Sequence, residues 1–467
     1  MKQIAALVFA IALLISCAKN ASVQKNDNQF AEARKTYGQY CATCHGEKVE
    51  AFVDRQWKHG KSKDEIITSI TNGWLENGMP AWKGTVSDAG IEELAELIVS
   101  SLGTVNQYDF EEVEKTDTYS SQGMTLKMEP VLKDVDSPWG LTSLPDGSLL
   151  ITDREGDLWK VGTDNSKTKI SGVPEVLAEG QGGLFDIKLH PDFASNGWIY
   201  LTYAKFKVEG SETLSTTAMI RGKLSGNTLV QKEELFEAHP YLTTRHHYGA
   251  RMAFDDENYL YLSVGDRGKR DENPQSLENG CGKIHRFNDD GSIPQDNPFV
   301  NTPNAVKSIW SYGHRNPQGL IYKPDADQIW EHEHGPRGGD EVNIIEKGKN
   351  FGWPVISYGI NYNGTTFTDI SAKEGMVQPQ IYYLPSIAPC GMTYVSSSKY
   401  PGWNGDILVG SLRFNYIDRL DISENKIANQ EKELINIGRL RNVFEAPDGF
   451  IYVGIENPGT VYRLTLQ

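Results

Sequence analysis

The sequence predicts a multidomain protein in which a small all-α domain precedes an all-β six-bladed β-propeller. Helical periodicity of apolar residues is concentrated in the first hundred or so residues. After residue 122, turns of the Pro-Asp-Gly type recur, and each precedes a short β-rich run. Six copies within residues 123–467 give a period of about 58 residues, which several short strands per copy would fill, as in a propeller.

The repeat also predicts how the propeller closes. Its β-rich runs are 148–153, 198–203, 259–264, 328–332, 407–410 and 450–454. The segment 124–131 lies before the first copy, and Thr460–Leu466 follows the last. We expect these two segments to pair, so that the ring is closed by the two ends of the domain 123–467.

Composition and charge exclude two classes of protein. The 467 residues are 39% hydrophobic and 23% charged, which are globular values, and the net charge is −16. A phosphate-binding surface needs a basic face, so nucleic acid is disfavoured as a partner. The mean hydropathy of −0.46 excludes a protein with several membrane spans.

The N-terminus has the features of an export signal. Lys2 precedes the apolar run 4–15, which is shorter than a typical transmembrane helix. Residues 14–17, Leu-Ile-Ser-Cys, fit a bacterial lipobox, although an ordinary signal peptide could also hold a cysteine. We therefore predict a lipoprotein signal peptide (1–17), lipid on Cys17, a tether (18–28) and an exported protein anchored to a membrane on its periplasmic side.

Five cysteines are present, and two of them predict one covalent haem c. Cys41, Cys44 and His45 form C-x-x-C-H, in which two thiols one helical turn apart bind the haem and the imidazole ligates its iron. A redox pair or half a zinc site is the alternative, but only His59 lies nearby as a further ligand. For Cys281 and Cys390, a disulfide and two buried free thiols both stay open.

The sequence around the haem motif resembles class I cytochrome c. Helical spacing predicts helices over 30–41, from Ser62 to about Gly73, and from Ser87 or Asp88 to Gly103, within a domain 29–103. Between the last two lies Asn-Gly-Met-Pro-Ala-Trp, and the resemblance makes Met79 the sixth iron ligand, with His59 as the alternative. The acidic stretch 104–122 is predicted to be a linker.

Polar residues in the long insertions of the repeat predict an anion-binding channel. They lie in 180–184, 245–251, 313–319 and 333–341, and at Arg413, Arg439 and Arg441. Propellers place such loops around their axis. Arginines from separate blades of an acidic chain imply a ligand with several carboxylates or phosphates.

These segments resemble the soluble glucose/sorbosone dehydrogenase family, whose members use calcium and pyrroloquinoline quinone (PQQ). The resemblance covers nearly all of 123–467. It is strongest at G-Q-x-G-L with H-P-D-F, at G-H-R-N-P-Q-G-L, and over 335–354 with its ending N-F-G-W-P.

The resemblance implies a role for each matching residue. His247 matches the catalytic base; His246 competes, but the spacing to Arg251 favours His247. The quinone and its carboxylates would be contacted by Gln181, Arg315, Asn316, Ser386, Arg439 and Arg441, and by Arg413, which stands where members have lysine. The carbonyls of Gly335 and Pro336 would bind the calcium that touches PQQ, and Glu341 would ligate a second, structural calcium.

The implied activity is oxidation of the anomeric carbon of aldoses to aldonolactones. His247 would take the C1 hydroxyl proton, the hydride would reach the quinone, and Arg315 would stabilise the resulting negative oxygen. Electrons would pass to the haem and on to a cytochrome or quinone-linked acceptor. Two alternatives stay open: another alcohol or aldehyde such as sorbosone as substrate, and a non-enzymatic lipid-anchored haem carrier whose propeller binds a partner. Convergent arginines disfavour the carrier.

Overall fold

The computed structural model describes residues 30–45, 49, 53, 57, 59–75, 79–103 and 116–467. The predicted signal peptide, the tether and most of the predicted linker lie outside these residues. The chain divides into two compact units, one containing the N-terminal helices and the other the β-sheets.

The first unit is helical, as the sequence predicts. Its helices are α1 (Ala31–Tyr40), α2 (Ala42–His45), α3 (Lys63–Asn72) and α4 (Asp88–Leu102). Ser62 begins α3 with a capping box, in which its hydroxyl and Glu65 satisfy each other's backbone N–H groups. One face of α4, with Ile91, Leu94 and Ile98, is buried between α1 and α3. None of the helices in the described ranges has the length and apolar character needed to cross a bilayer.

The second unit contains six antiparallel sheets, each a blade of a propeller, which confirms the predicted fold. In chain order the first three blades are β3–β6 (Pro138–Ser143, Leu149–Asp153, Leu158–Val161, Lys167–Ile170), β7–β10 (Leu184–Leu189, Trp198–Glu209, Glu212–Ser225, Thr228–Glu237) and β11–β14 (Met252–Phe254, Leu260–Val264, Lys283–Phe287, Ile309–Tyr312). The next two are β15–β18 (Pro317–Lys323, Gln328–Glu333, Asp340–Ile345, Ile381–Tyr383) and β19–β22 (Pro389–Tyr394, Ile407–Ser411, Ile417–Ser423, Lys426–Glu433). The sixth blade has β23–β25 (Arg439–Glu445, Ile451–Glu456, Thr460–Leu466), and one short helix, α5 (Phe193–Asn196), precedes β8.

All six predicted β-rich runs coincide with the second strand of a blade, namely β4, β8, β12, β16, β20 and β24. The repeated turn therefore joins the first strand of each blade to the second. Gly147 and Gly449 occupy its last position with φ of 81° and 78°, a left-handed conformation that glycine adopts without strain. Apart from β2 and β25, which the sequence predicted as the closing pair, the remaining strands carry no comparable turn signal, and the sequence did not locate them.

The ring closes as predicted, with one addition. β2 (Met124–Lys133) pairs antiparallel with β25, so that Leu126 lies opposite Leu466. A further strand, β1 (Thr118–Ser121), pairs with β2 and lies inside the segment predicted as a linker. Gln122 and Gly123 both have positive φ, 47° and 76°, and form the two-residue hairpin turn that brings β1 back onto β2.

The apolar core lies between neighbouring blades. Leu150 and Leu158 of the first blade, for example, pack with Ile187 and Leu201 of the second, and all four are fully buried. Because both faces of each sheet are covered, the blades stack around the axis and direct their loops to its two ends.

The first strands of the blades surround the axis, and Arg251 ties them together. Each of these inner strands contacts the inner strand of the next blade. Arg251 immediately precedes β11 and is 4% exposed. Its guanidinium reaches the inner strands of the other five blades at Trp139 O (3.0 Å), Asp186 Oδ1 (3.7 Å), Gln318 O (2.9 Å), Cys390 Sγ (3.6 Å) and Arg441 O (3.1 Å).

This position corrects one expectation. Arg251 belongs to the segment 245–251, which the sequence assigned to an anion-binding channel. Its donors instead bind backbone carbonyls of the blades, and its guanidinium stacks on Trp139 with 3.8 Å between the guanidinium carbon and the ring centroid. Arg251 is therefore a structural residue of the axis.

Arg251→Met should destabilise the propeller by about 3–5 kcal/mol, because it leaves several buried carbonyls without a donor and Asp186 without a charge partner. The control is Arg463→Met, which removes a partly exposed ion pair with Glu129 and should cost less than about 1 kcal/mol. Urea unfolding of both variants makes the comparison, and equal losses would contradict the role of Arg251.

Candidate active site

The predicted base, His247, is held by a buried carboxylate. Its Nδ1 lies 2.6 Å from Asp266 Oδ1, and its backbone N–H donates to Gln181 Oε1 at 2.8 Å. Burial, and next the charge of Arg315, lower the pKa of His247 to about 4, although Asp266 acts in the opposite direction. The imidazole is therefore neutral at pH 7. With Asp266 ionised, Nδ1 carries the proton and Nε2 is left as the basic atom.

Asp266 is a functional residue that the sequence analysis missed. Burial opposes its ionisation, but the charges and hydrogen bonds of its neighbours, His247 first, outweigh burial and hold its pKa below the usual value. Oδ1 also accepts from Gly268 N at 2.7 Å, and Oδ2 accepts from Trp353 Nε1 at 2.8 Å. The one sequence feature that could have indicated Asp266 is its position two residues after the buried strand β12.

His246, the competing base, has different surroundings. Its ring stands edge-on to that of His247, with 4.6 Å between centroids, and burial lowers its pKa. A Cβ at Gly268 would overlap this ring, so the glycine makes room for it. Of the two histidines, His247 is the one whose imidazole is oriented for proton transfer by a carboxylate, that of Asp266.

Arg315 connects the base to the loop predicted to bind calcium. Its Nη1 donates to the carbonyls of His334 at 2.9 Å and Gly335 at 2.6 Å, and its backbone N–H donates to the carboxylate of Glu333. Asn316, its neighbour in the predicted pair, instead accepts from Gly249 N at 3.2 Å through Oδ1. In this structure the Asn316 side chain binds the loop that carries His247.

The turn at Gly335 and Pro336 is organised by Asp340, which the sequence analysis also missed. Asp340 Oδ1 accepts from Gly335 N and Ser386 Oγ, both at 2.8 Å, and Oδ2 accepts from Ala388 N at 2.8 Å. Burial raises the pKa of Asp340 to about 6. The carbonyl of Pro336 accepts from Ser386 Oγ at 3.3 Å. A carbonyl oxygen has two lone pairs, so both turn carbonyls retain the capacity to ligate a hard cation.

Glu341 is partly buried and lies on the fourth blade beside the buried carboxylates of Glu331 and Glu333. It stands opposite Glu333 in the β16–β17 register, as Asn343 stands opposite Glu331. Burial, followed by the charge of Glu333, raises the pKa of Glu341 and of Glu331 well above the usual value. His314, Glu331 and Glu333 offer ligand atoms within 4.8 Å of one another, and Glu331 Oε1 has no hydrogen-bond partner within the described chain. The unpartnered Oε1 of Glu331, next to Glu333 and His314, fits a ligand of a divalent cation.

Two arginines of the sixth blade share one buried carboxylate. Arg439 Nε and Arg441 Nε each donate to Glu456 at 2.7 Å, and Arg439 Nη1 also donates to Leu412 O at 3.1 Å. Arg413 is exposed, and its Nη1 donates to Ser386 O at 3.0 Å. Arg439 and Arg441 share one carboxylate and Arg413 has only a backbone carbonyl, so positive charge is left over, and this excess fits a polycarboxylate such as PQQ.

The contacts join nearly all of the predicted propeller residues into one continuous site. The first half of the chain of contacts leads from Gln181 through His247, Asp266, Trp353 and Arg315 to Gly335. The second half leads from Gly335 through Asp340, Ser386, Arg413 and Leu412 to Arg439, Glu456 and Arg441. Asn316 joins at Gly249. Glu341 lies next to Asp340 in the chain, on the sheet below the turn.

The two cysteines of the propeller do not form a disulfide bond with each other. Cys281 and Cys390 are fully buried free thiols. Cys390 Sγ donates to Arg441 O at 3.0 Å, while burial raises the pKa of Cys281 to about 11 and makes that thiol unreactive.

In the helical unit, Trp74 stands between the two candidate sixth ligands. Its backbone exchanges two hydrogen bonds with that of Met79, and its indole stacks on His59 with 3.6 Å between centroids. Trp74 Nε1 is buried without a partner among the described residues, a donor that a haem propionate would satisfy. Cys41 and His45 lie one turn apart at α2; Cys44 lies between them, with its side chain outside the description.

Glu456→Gln should remove a stabilisation that depends on pH. Burial opposes ionisation, but Arg441 above all lowers the pKa of Glu456 from 4.5 to about 2. The ionised form therefore contributes about 3 kcal/mol above pH 4.5, and this contribution is lost as the pH falls through 2. Urea unfolding should show a stability difference between wild type and variant that roughly halves from pH 7 to pH 3; a pH-independent difference would contradict the shared ion pair.

Two family models match the chain. The one described as Glucose / Sorbosone dehydrogenase covers residues 135–463, and the one described as Cytochrome C oxidase, cbb3-type, subunit III covers residues 28–98. Aldose sugar dehydrogenase YliI of Escherichia coli (strain K12) is 39% identical over 337 residues, which are 70% of this chain and 90% of the relative.

Two further relatives carry the quinone in their names. Quinoprotein glucose dehydrogenase B of Acinetobacter calcoaceticus is 27% identical over 415 residues, covering 71% of this chain and 86% of its own. The solved structure of the PQQ-bound form of aldose sugar dehydrogenase (Adh) from Streptomyces coelicolor superposes with a TM-score of 0.59 at 27% identity, covering 76% of this chain and all of that one.

Proposed function

Because the chain belongs to the glucose/sorbosone dehydrogenase family and carries a cytochrome c domain at its N-terminus, we propose that it oxidises aldoses at C1 to aldonolactones and passes the electrons to its own haem. The observation that carries the proposal is the neutral imidazole of His247, held by the ionised carboxylate of Asp266 beside Arg315, in a site where Arg439 and Arg441 share a single carboxylate. An oxidoreductase of this family needs both a base and an anionic cofactor.

His247 acts as the base in this proposal. Its Nδ1 is engaged by Asp266, so Nε2 receives the proton of the C1 hydroxyl. Asp266 then stabilises the imidazolium that forms, as a fixed charge 2.6 Å away. Arg315, held by two carbonyls, keeps its charge at the same end of the site and favours the negative charge that develops there.

The cofactors would be held by the remaining residues. Arg413, Arg439 and Arg441 would bind the carboxylates of PQQ, which when bound supplies a two-electron acceptor for the C1 hydride. The carbonyls of Gly335 and Pro336 would hold a calcium ion, a Lewis acid, and Ser386 supports that turn. A second calcium at Glu341 would neutralise the buried carboxylates of the fourth blade.

The haem and the membrane anchor complete the proposal. Cys41 and Cys44 would attach one haem c, with His45 and Met79 as iron ligands, and a cytochrome or quinone-linked chain would reoxidise it. The lipobox at residues 14–17 supports export and a lipid anchor on the periplasmic side.

His247→Gln should lower turnover by about 10²–10⁴-fold, which is the usual effect of removing a positioned general base. PQQ binding should stay nearly unchanged, because the arginines are untouched. His246→Gln is the matched control and should be mild. Steady-state kinetics of both variants decides the assignment, and the reverse order of effects would show that His246 is the base.

Calcium should be needed for cofactor uptake and for rate, because the carbonyls of Gly335 and Pro336 would hold the ion next to the quinone. Protein treated with EDTA should lose PQQ-dependent dye reduction and regain it on titration with Ca²⁺. Full activity of calcium-free, PQQ-loaded protein would contradict the site.

Sugar should reduce the haem within the same molecule, since one chain carries both centres and raises their effective concentration. In stopped-flow mixing, the rate constant of haem reduction should not change with protein concentration. Met79→Ala should slow this step and leave reduction of a small dye unchanged. A rate constant that doubles when the protein concentration doubles would mean transfer between molecules.

A further inference from the structure

Trp353 is part of the strongest family motif, N-F-G-W-P at 350–354, but the proposed mechanism gives it no role. Its indole Nε1 donates to Asp266 Oδ2 at 2.8 Å. The other oxygen of the same carboxylate, Oδ1, takes His247 Nδ1 at 2.6 Å and Gly268 N at 2.7 Å. Trp353 therefore binds the carboxylate that orients His247, through the oxygen that His247 does not contact.

The same indole lies against the second catalytic residue. The guanidinium carbon of Arg315 is 5.3 Å from the centroid of the Trp353 ring, a distance at which a cation is attracted to an aromatic face. The ring is 8% exposed. Its backbone is held on both sides, since Trp353 N donates to Gly313 O at 2.9 Å and Trp353 O accepts from Gln275 Nε2 at 2.7 Å.

We propose that Trp353 is a positioning residue that holds Asp266 and Arg315 in a fixed relation to His247. The proposal rests on the proposed function only in taking His247 as the base. Without the indole donor, Asp266 Oδ2 is a buried acceptor without a partner, and the carboxylate is free to rotate. The direction of His247 Nε2 depends on that carboxylate.

The indole also controls how strongly Asp266 attracts a proton on His247. The charged and titratable groups that face His247 are Asp266, Arg315 and His246. Those that face Asp266 are His247 and Arg315, together with His246, Arg267, Cys281 and Lys283. A hydrogen bond from Trp353 draws negative charge toward Oδ2, so its loss leaves more charge at Oδ1, next to the imidazole. The imidazolium is then favoured, and His247 should titrate at a higher pH.

The test compares Trp353→Phe with Trp403→Phe in the full chain. Phenylalanine keeps an aromatic ring at this position and removes the N–H donor together with part of the indole volume, a loss of volume that the control shares. Trp403 is a matched control, because it is fully buried and its Nε1 donates to Ser121 Oγ at 2.9 Å in the fifth blade, away from the site. Both substitutions delete one buried indole hydrogen bond.

The readout is the NMR titration of His247 in protein without added PQQ. Trp353→Phe should raise the pKa of His247 by about half to one unit, since one neutral hydrogen bond is worth about that much, and Trp403→Phe should leave it unchanged. In the PQQ-loaded enzyme, the acid limb of kcat/KM should move upward with it, and kcat at pH 7 should fall several-fold. An unmoved titration in Trp353→Phe, or an equal shift in both variants, would overturn the proposal.

A measurement on the wild type covers the case in which Trp353→Phe does not fold. The chain has ten tryptophans, and with nitrogen-15 in their indoles, one N–H signal should follow the titration of His247. If no indole signal follows it, the proposal is wrong. Failure of the proposed function is a separate result, namely no PQQ-dependent sugar oxidation while the His247 titration still depends on Trp353.

Discussion

Arg251 lies at the start of the third blade, and its guanidinium reaches the inner strands of the other five blades. Burying a charge at the axis is unfavourable unless its donors are satisfied, and here backbone carbonyls and Asp186 satisfy them. The inner strands are thereby drawn to a common centre. Several loops that carry the candidate site lead directly into these inner strands. The geometry of the site therefore depends on Arg251 holding the strands together at the axis.

The site itself is built from separate blades. His247 precedes the third blade, Arg315 joins the third to the fourth, Asp340 begins β17 of the fourth, and Arg441 lies on the sixth. No single blade could hold a base, a metal turn and an arginine pair in one place. A rigid ring with loops converging on its axis is a suitable scaffold for such a composite site.

Several residues of the same loops have a strained backbone. His247, Ala250, Arg267 and Ala388 have φ between 51° and 80°, in the left-handed region that non-glycine residues seldom adopt. Each such residue costs of the order of 1 kcal/mol, which the surrounding hydrogen bonds must offset. For His247 these include the bonds to Gln181 and Asp266. The same contacts that make the imidazole a base therefore also hold its strained backbone.

The sequence predicted the parts of the structure that are local. Ser62, Ser87 and the glycines that follow α3 and α4 mark those helices by themselves, and the repeated turn marks the second strand of every blade. Asp266, Asp340 and Glu456 could not be predicted in this way. In a chain with 62 acidic residues a carboxylate gives no signal until the fold buries it beside a distant partner, as Glu456 is buried beside Arg441. For Arg251, the same lack of long-range information made a structural arginine look like a ligand-binding one.

The central claim is that one end of the propeller binds an anionic quinone through arginines of different blades. Isothermal titration of PQQ into the full chain with Ca²⁺ tests it most directly. We expect one PQQ per chain, binding weakened at least tenfold by Arg439→Met, and no change with Arg463→Met on β25, which removes only the ion pair with Glu129. Absence of binding, or equal binding by all three proteins, would contradict it.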